Sequence, residues 1–254
     1  MLNLKIIGDV VLNDVEAVKT TYTIYNSKPK ENMKTKSLSE SKPQSLIIKI
    51  SGMMAKRTID IIGAIVGIIL LIPLTIIIAI LNIINNDTGP IFYAQKRIGK
   101  DGKEFKLYKF RTMVVDAEEE LKKLLNENPK IRKEYIKNRK IKNDPRVTRI
   151  GKFLRVTSLD EFPQFINVLI GNMSLVGPRP YLPKEKNDME DYYNVIIKHK
   201  PGLTGFWQVS GRSNTSFQNR LDMDIRYHES ASILFDIKIL FKTILNVIKK
   251  EGAV

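Results

Sequence analysis

The sequence contains no cysteine, which excludes disulfides and thiolate metal sites and leaves the redox compartment without a signal. It has no obvious internal repeat. Its opening stretch, MLNLKIIGDVVLND, lacks a long apolar core and a small-residue cleavage site, so no signal peptide is expected. Acid is scarce: 27 Asp and Glu stand against 42 Lys and Arg, a net charge of +15 over 254 residues. Such a surface attracts polyanions, whether nucleic acid, anionic lipid, or nucleotide and phosphate substrates. The compact recognition motifs of nucleic-acid binders are missing as well, so no nucleic-acid partner is expected.

What is present, unusually for so charged a chain, is a run of 21 residues without a charge, IIGAIVGIILLIPLTIIIAIL at 61–81, of which 15 are Ile, Leu or Val. As a helix it would be ~32 Å long, about the thickness of a bilayer's hydrocarbon core. A soluble core helix rarely stays apolar all round for this length. Pro73, near its middle, cannot donate to residue 69 and crowds that turn, so a kink is expected. A kinked spanning helix and a re-entrant hairpin both satisfy this. Lys and Arg crowd both flanks, from Lys28 to Arg57 before the run and from Lys96 to Arg111 after it. Both flanks then read as cytoplasmic, which favours the hairpin broken at Pro73. Arg57 and Asp60, three residues apart on the entering helix, are expected to pair at the interface.

The chain divides into a flexible extension (1–45), a membrane-associated re-entrant helix (46–90) and a cytoplasmic catalytic domain (91–254) that folds as one with the helix. The fold class is α+β and mostly helical. A small β-hairpin is expected around Asp101-Gly102, with Phe105 and Leu107 alternating against charged or polar neighbours. Helices are expected over 116–129, ended by Pro129, then to about Lys140, over 162–170 (stopped by Gly171), over 184–199 and over 233–250. The last mixes lysines with large apolar residues and suits either core packing or the membrane interface.

The stretch TSLDEFPQF (157–165) puts Asp160 beside Glu161 just before a proline. One reading is a helix start: Ser158 and Glu161 match a capping box, and Asp160 as the cap would place Pro163 where no intrahelical bond is lost. The other is chemical. Adjacent acids cannot flank a glycosidic bond, but one can act as nucleophile or metal ligand while its neighbour orients it or moves a proton. A carboxylate attacking phosphate needs its repulsion cancelled by Mg²⁺ and arginines. Arg155 lies five residues before Asp160, Arg179 is held between prolines in GPRP, and Arg212 ends PGLTGFWQVSGR. A competing metal-nucleotide site is Asp222-Met223-Asp224, the D-x-D of ordinary glycosyltransferases.

The series KR-x-x-D, an apolar segment with a central proline, GPIFYAQKRIG, KFRTM, DPRVTRIGKFLRVTSLDEFPQFINVLIGNMSLVGPRP and PGLTGFWQVSGR resembles the bacterial sugar transferase family, the monotopic polyprenyl-phosphate phosphoglycosyl transferases. The resemblance covers about residues 52–245. The insertion between KFRTM and DPRV resembles the hexose-1-phosphate branch, which starts capsule, exopolysaccharide or O-antigen units. Longer members carry additional transmembrane helices, so the expectation is a catalytic domain standing alone.

The resemblance implies that Asp160 attacks the β-phosphorus of a UDP-sugar, releases UMP and holds a covalent phosphosugar, which a polyprenyl phosphate then takes. It makes Glu161 the dyad partner and places Mg²⁺ at Asp160. It implies phosphate contacts for Arg155, Arg179 and Arg212, and puts Gln208 in the segment lining the nucleotide site. It also implies a monotopic protein on the cytoplasmic face of the bacterial inner membrane, with anionic lipid around it, a re-entrant helix broken at Pro73 and amphipathic interfacial helices. Galactose and glucose are the leading sugars, and the larger relatives suggest a homodimer. One departure stands out: Ala231 replaces the tryptophan that the family carries before Ser232, while Asp224, Tyr227 and Asp236 fit the pattern.

Overall fold

The computed structural model describes residues 43–138, 141–210 and 215–249, of which those from Gln44 onward belong to one compact unit. The expected extension over 1–45 lies almost wholly outside the described residues. The first element, α1, is a 42-residue helix, Pro43–Ile84. Ser51–Ile84 is long and apolar enough to cross a membrane. Helical backbone continues through Pro73, so the expected break does not interrupt the element. Proline removes one backbone donor at this point, and the Thr75 hydroxyl adds a bond to the Leu71 carbonyl (2.8 Å) just beyond it.

One stripe of α1 faces the rest of the protein. Asp60, Ala64, Leu71 and Ile78 are buried at helical spacing, while Ile62, Ile69, Ile72, Ile76 and Ile83 on the other sides are exposed. The stripe is fixed by polar bonds as well as packing. Asp60 accepts from the Ser174 hydroxyl (2.9 Å) and the Leu175 amide (2.8 Å). Arg57 donates to the carbonyls of Val168 and Leu169, both at 2.8 Å. The expected Arg57–Asp60 pair is therefore not formed. Each side chain reaches a backbone group of the globular part instead, which no local spacing rule anticipates.

A β-hairpin follows: β1 (Phe92–Ile98) pairs antiparallel with β2 (Glu104–Phe110), with Tyr93 opposite Lys109 and Arg97 opposite Phe105. Asp101 and Gly102 take positive φ at the turn (57° and 76°). Helix α2 (Ala117–Glu127) ends at Asn128, whose side chain accepts from the amides of Lys130 and Ile131 and so caps α3 (Pro129–Asn138). Pro129 opens the second helix as well as ending the first.

Helix α4 (Arg149–Thr157) is capped by Thr148 and crosses the chain leaving β2 at backbone contact, since a Cβ on Gly151 would lie 2.0 Å from the Thr112 carbonyl oxygen. After a turn come α5 (Gln164–Leu169) and β3 (Ser174–Val176). Asn167, fully buried, accepts from the Tyr108 amide and donates to the Lys106 carbonyl, which locks α5 to β2. The segment expected as one helix over 184–199 is three short turns, Pro183–Glu185, Asn187–Met189 and α6 (Tyr192–Ile196). Glu190 at φ 47° separates the last two.

β4 (Gly202–Thr204) pairs parallel with β3. The short helix α7 (Phe206–Ser210), α8 (Phe217–Ser230) and α9 (Ile233–Ile248) complete the described chain. α9 packs inward through Asp236 and Ile239 and leaves Leu234, Ile237, Phe241, Ile244 and Ile248 exposed in one stripe. Lys56 of α1, Tyr227 of α8 and Asp236 of α9 share a polar cluster with the Val176 carbonyl, tying the two ends of the unit together. Ala231 is exposed and Ser232 caps α9, so the missing tryptophan leaves the cap intact.

Candidate active site

The carboxylate pair lies on a 3-10 turn, Leu159–Glu161, directly after α4. Ser158 closes α4 in the left-handed region (φ 57°), which turns the chain without a glycine. Leu159 and Phe162, three apart and so on one face of the turn, pack against the cluster of Leu71, Ile78, Phe110 and Leu154. The two acids between them are thereby directed away from that core. Neither caps a helix: Ser158 makes no capping bond, and α5 begins at Gln164 with Pro163 before it and no side-chain cap. The capping reading of the two acids is thus overturned, because they lie on a separate tight turn between the end of α4 and the start of α5.

The acids meet Lys109 of β2. Its ammonium is 2.7 Å from Glu161 Oε1 and 3.6 Å from Asp160 Oδ2. Asp160 is the more desolvated, its side chain 13% exposed against 33% for Glu161. Burial raises the Asp160 pKa, Lys109 and Arg155 oppose this, and the negative charge of Glu161 adds to it. Burial would lower the Lys109 pKa, but the two carboxylates outweigh it and hold the ammonium charged. Arg155, on the last turn of α4, donates through Nε to the Thr112 hydroxyl (2.9 Å) and lies within the field of Asp160.

Motif KFRTM is now legible. Lys109 serves the acids, Phe110 the core and Thr112 holds Arg155, while Arg111 pairs with Asp87 at 2.8 Å.

Arg179 stands in a different setting. Its backbone amide donates to Asp224 Oδ2 (3.2 Å), and its guanidinium lies over the rings of Trp207 (5.5 Å) and Tyr181 (5.9 Å). Arg97 of β1 links the two settings, since its electrostatic partners include both Arg179 and Glu161. Gln208 sits beside Trp207 on α7 and donates to the Leu203 carbonyl (3.3 Å). Arg212 lies outside the described residues. Lys109 and Arg97 were legible in the sequence only as flanking charges. The hairpin's two-residue alternation and cross-strand register would have placed them on one face with Leu107.

The D-x-D alternative fails on geometry. Asp222 and Asp224 are two residues apart on α8, so they point to nearly opposite sides. Asp222 accepts from the Tyr192 hydroxyl (2.8 Å), while Asp224 is fully buried against the Tyr181 hydroxyl (2.8 Å). The pair cannot hold one metal ion. Among the described residues, no cluster of three or more carboxylates or imidazoles is arranged as a metal site. Adjacent Asp160 and Glu161 still fit Mg²⁺, which binds one or two carboxylates and completes its shell with water and substrate phosphate.

Burial pushes the Asp224 carboxyl up to about 7, against the Tyr181 hydroxyl, the Arg179 amide and the guanidiniums of Arg179 and Arg220, all of which favour ionisation. The folded protein therefore keeps this proton to higher pH than the unfolded chain. The resulting stability is complete below about pH 4 and is lost as pH rises toward 7, on the order of 4 kcal/mol in all. Thermal unfolding at a series of pH values should show a loss of Tm between about pH 4 and 7 that Asp224→Asn lacks. Identical profiles for the two proteins would contradict the assignment.

A bacterial sugar transferase family profile matches residues 51–250. The UDP-galactose-lipid carrier transferase of Erwinia amylovora is 45% identical over 207 residues, covering 82% of this chain and 43% of that protein. The undecaprenyl-phosphate galactose phosphotransferase of Salmonella typhimurium is 44% identical over 210 residues, 83% of this chain and 44% of that protein. The chain thus spans less than half the length of these two relatives. Against the exopolysaccharide production protein ExoY of Rhizobium meliloti it is 41% identical over 202 residues, 80% of this chain and 89% of that protein.

Proposed function

The chain belongs to the bacterial sugar transferase family, and on that premise we propose that it moves a sugar 1-phosphate from a UDP-sugar to undecaprenyl phosphate, with Asp160 as the nucleophile. The observation that carries this reading is the state of the carboxylate pair. In a chain of charge +15, two acids are set side by side on a turn, are not used as caps, and are held by Lys109 with Arg155 nearby.

The chemistry follows from those positions. An Asp160 oxygen attacks the β-phosphorus, the bond from that phosphorus to the bridging oxygen breaks, and UMP leaves with the electron pair. The phosphosugar is then an acyl phosphate on Asp160. An oxygen of the lipid phosphate attacks the same phosphorus and returns Asp160 as a carboxylate. Lys109 offsets the repulsion between the acids and the approaching diphosphate, and fixes Glu161 so that it directs its neighbour. Arg155, held on Thr112, adds positive charge that also acts on Asp160. Asp160 would hold a magnesium ion, which when bound neutralises charge on the diphosphate. The names of the relatives leave galactose and glucose as the leading sugars and support exopolysaccharide as the product line.

The proposed placement is monotopic, on the cytoplasmic face. α1 touches the globular unit at Asp60 and again at Ile78, about 27 Å apart along a straight helix. A helix crossing the bilayer alone would leave that unit at one end. The exposed apolar sides of α1, the stripe on α9 and Phe153 with Val156 on α4 offer the surface that lipid would cover. The lysines of α9 suit anionic headgroups.

Incubation with Mg²⁺, undecaprenyl phosphate and single UDP-sugars tests the reaction. UMP as the product from one donor is the expected result. Release of UDP would mean transfer of the sugar without its phosphate and would overturn the proposal.

A further inference from the structure

Among the described residues, buried side-chain polar atoms without a hydrogen-bond partner are Arg97 Nε, Arg179 Nε, Trp207 Nε1 and Asp224 Oδ1. All belong to one patch. The Arg179 and Arg220 guanidiniums lie over the Trp207 ring at 5.5 and 5.9 Å. Arg97 donates to the carbonyl of Pro180, the residue after Arg179, at 3.0 Å, and to Gln95 Oε1 at 2.6 Å. Asp224 accepts from the Arg179 amide.

The cations of this patch outnumber the one buried carboxyl among them, Asp224, whose proton burial retains up to about pH 7. Arg111 and Arg146 each hold an aspartate, but among the described residues none of Arg97, Arg179 and Arg220 is within ion-pair distance of an acid. Arg97 and Arg220 each feel Arg179 as a repelling neighbour. Glu185, the nearby carboxylate, already accepts from the Leu182 amide at 2.7 Å. Holding three partly buried cations together is unfavourable unless an anion joins them. The aromatic rings keep two of the guanidiniums in place meanwhile, by cation–π attraction.

We propose that Arg97, Arg179, Arg220 and the Trp207 indole N–H form a phosphate-monoester subsite separate from the phosphorus under attack at Asp160. The unpartnered Nε–H groups of Arg97 and Arg179 and the indole N–H of Trp207, with the Arg220 guanidinium beside them, suit a dianion with three oxygens. The inference rests on the reaction proposed above, which involves two such groups. One is the phosphate of the departing nucleoside monophosphate, and the other is the phosphate of the arriving lipid. Either can use the same donors, and Arg97 connects the subsite to the reacting centre, since it bonds to the carbonyl of Pro180 beside Arg179 and lies on the same hairpin face as Lys109.

The test is calorimetric binding of UMP and of farnesyl phosphate to the full chain in detergent, with thermal unfolding measured in parallel. Arg220→Gln should weaken at least one ligand by roughly tenfold or more, the effect of losing one charge-assisted hydrogen bond, while Tm stays level or rises. Arg220→Lys should recover part of the loss. Weakening of UMP alone assigns the subsite to the leaving group, weakening of farnesyl phosphate alone assigns it to the acceptor, and weakening of both means that the two occupy it in turn. Arg97→Gln is the second variant, used if Arg220→Gln does not fold. A lower Tm with unchanged affinity for both ligands would make the arginines structural and overturn the subsite. Normal binding by the variants alongside UMP release by the parent chain would sink this inference and leave the proposed reaction standing. UDP release would sink the reaction, while the affinities would still decide the subsite.

Discussion

Asp160→Asn is expected to cut turnover by roughly 10⁴-fold or more, because an amide oxygen cannot form the acyl phosphate through which both half-reactions pass. The substitution is close to isosteric, and burial already disfavours the charged form of this carboxyl. Tm should therefore be unchanged or slightly higher, which separates loss of chemistry from loss of fold. With a UDP-sugar labelled on the β-phosphorus and no lipid acceptor, the parent chain should retain about one label per molecule and release a matching amount of UMP. The label should be sensitive to hydroxylamine, as an acyl phosphate is. Asp160→Asn should retain none. Equal labelling of the two proteins would move the nucleophile elsewhere.

Lys109→Met should lose activity by about 10²–10³-fold, the range found when one preorganised charge aimed at a reacting centre is removed. It should also lower stability by a few kcal/mol, since two neighbouring carboxylates would be left partly buried without their cation. Asp160 carries most of that burden, because it is the less exposed of the two. Lys109→Arg keeps the charge and should bring activity back to within about tenfold of the parent, short of full recovery because a planar fork cannot place one donor at 2.7 Å from Glu161 and another near Asp160 in the same way. Should Lys109→Met turn over at the parent rate, the role given to this lysine would be wrong.

Both expectations turn on residues that differ in how visible they were in the sequence. Asp160 and Glu161 stand out as adjacent acids in a basic chain, and the apolar residues on either side explain their exposure to the site. Lys109 is one of many lysines near an apolar run, and only the pairing of β1 with β2 turns it inward. Arg57 and Asp60 show the converse. Their spacing suggests a local pair, yet each bonds to a distant backbone group, at Val168 and Leu169 and at Leu175. Local spacing sets which contacts can form, while burial decides which do, because a backbone amide or carbonyl left bare in the interior costs more than an exposed ion pair returns.

The sequence by itself determined the elements whose cause is local. An uncharged run made α1, positive-φ residues made the hairpin turn, and the family motifs named the carboxylates. Helix ends at Thr148, Asn128 and Ser232 follow from side chains that can cap. Only the tertiary structure decided what the acids face, why Gly151 must be bare beside Thr112, and that β3 and β4 pair across 25 intervening residues. It alone brought Arg179 and Arg220 over Trp207 and bonded Arg97 to the Pro180 carbonyl beside them. Those arrangements depend on chain segments far apart in sequence, whose meeting is selected by the burial of a common core and not by the preferences of any one of them.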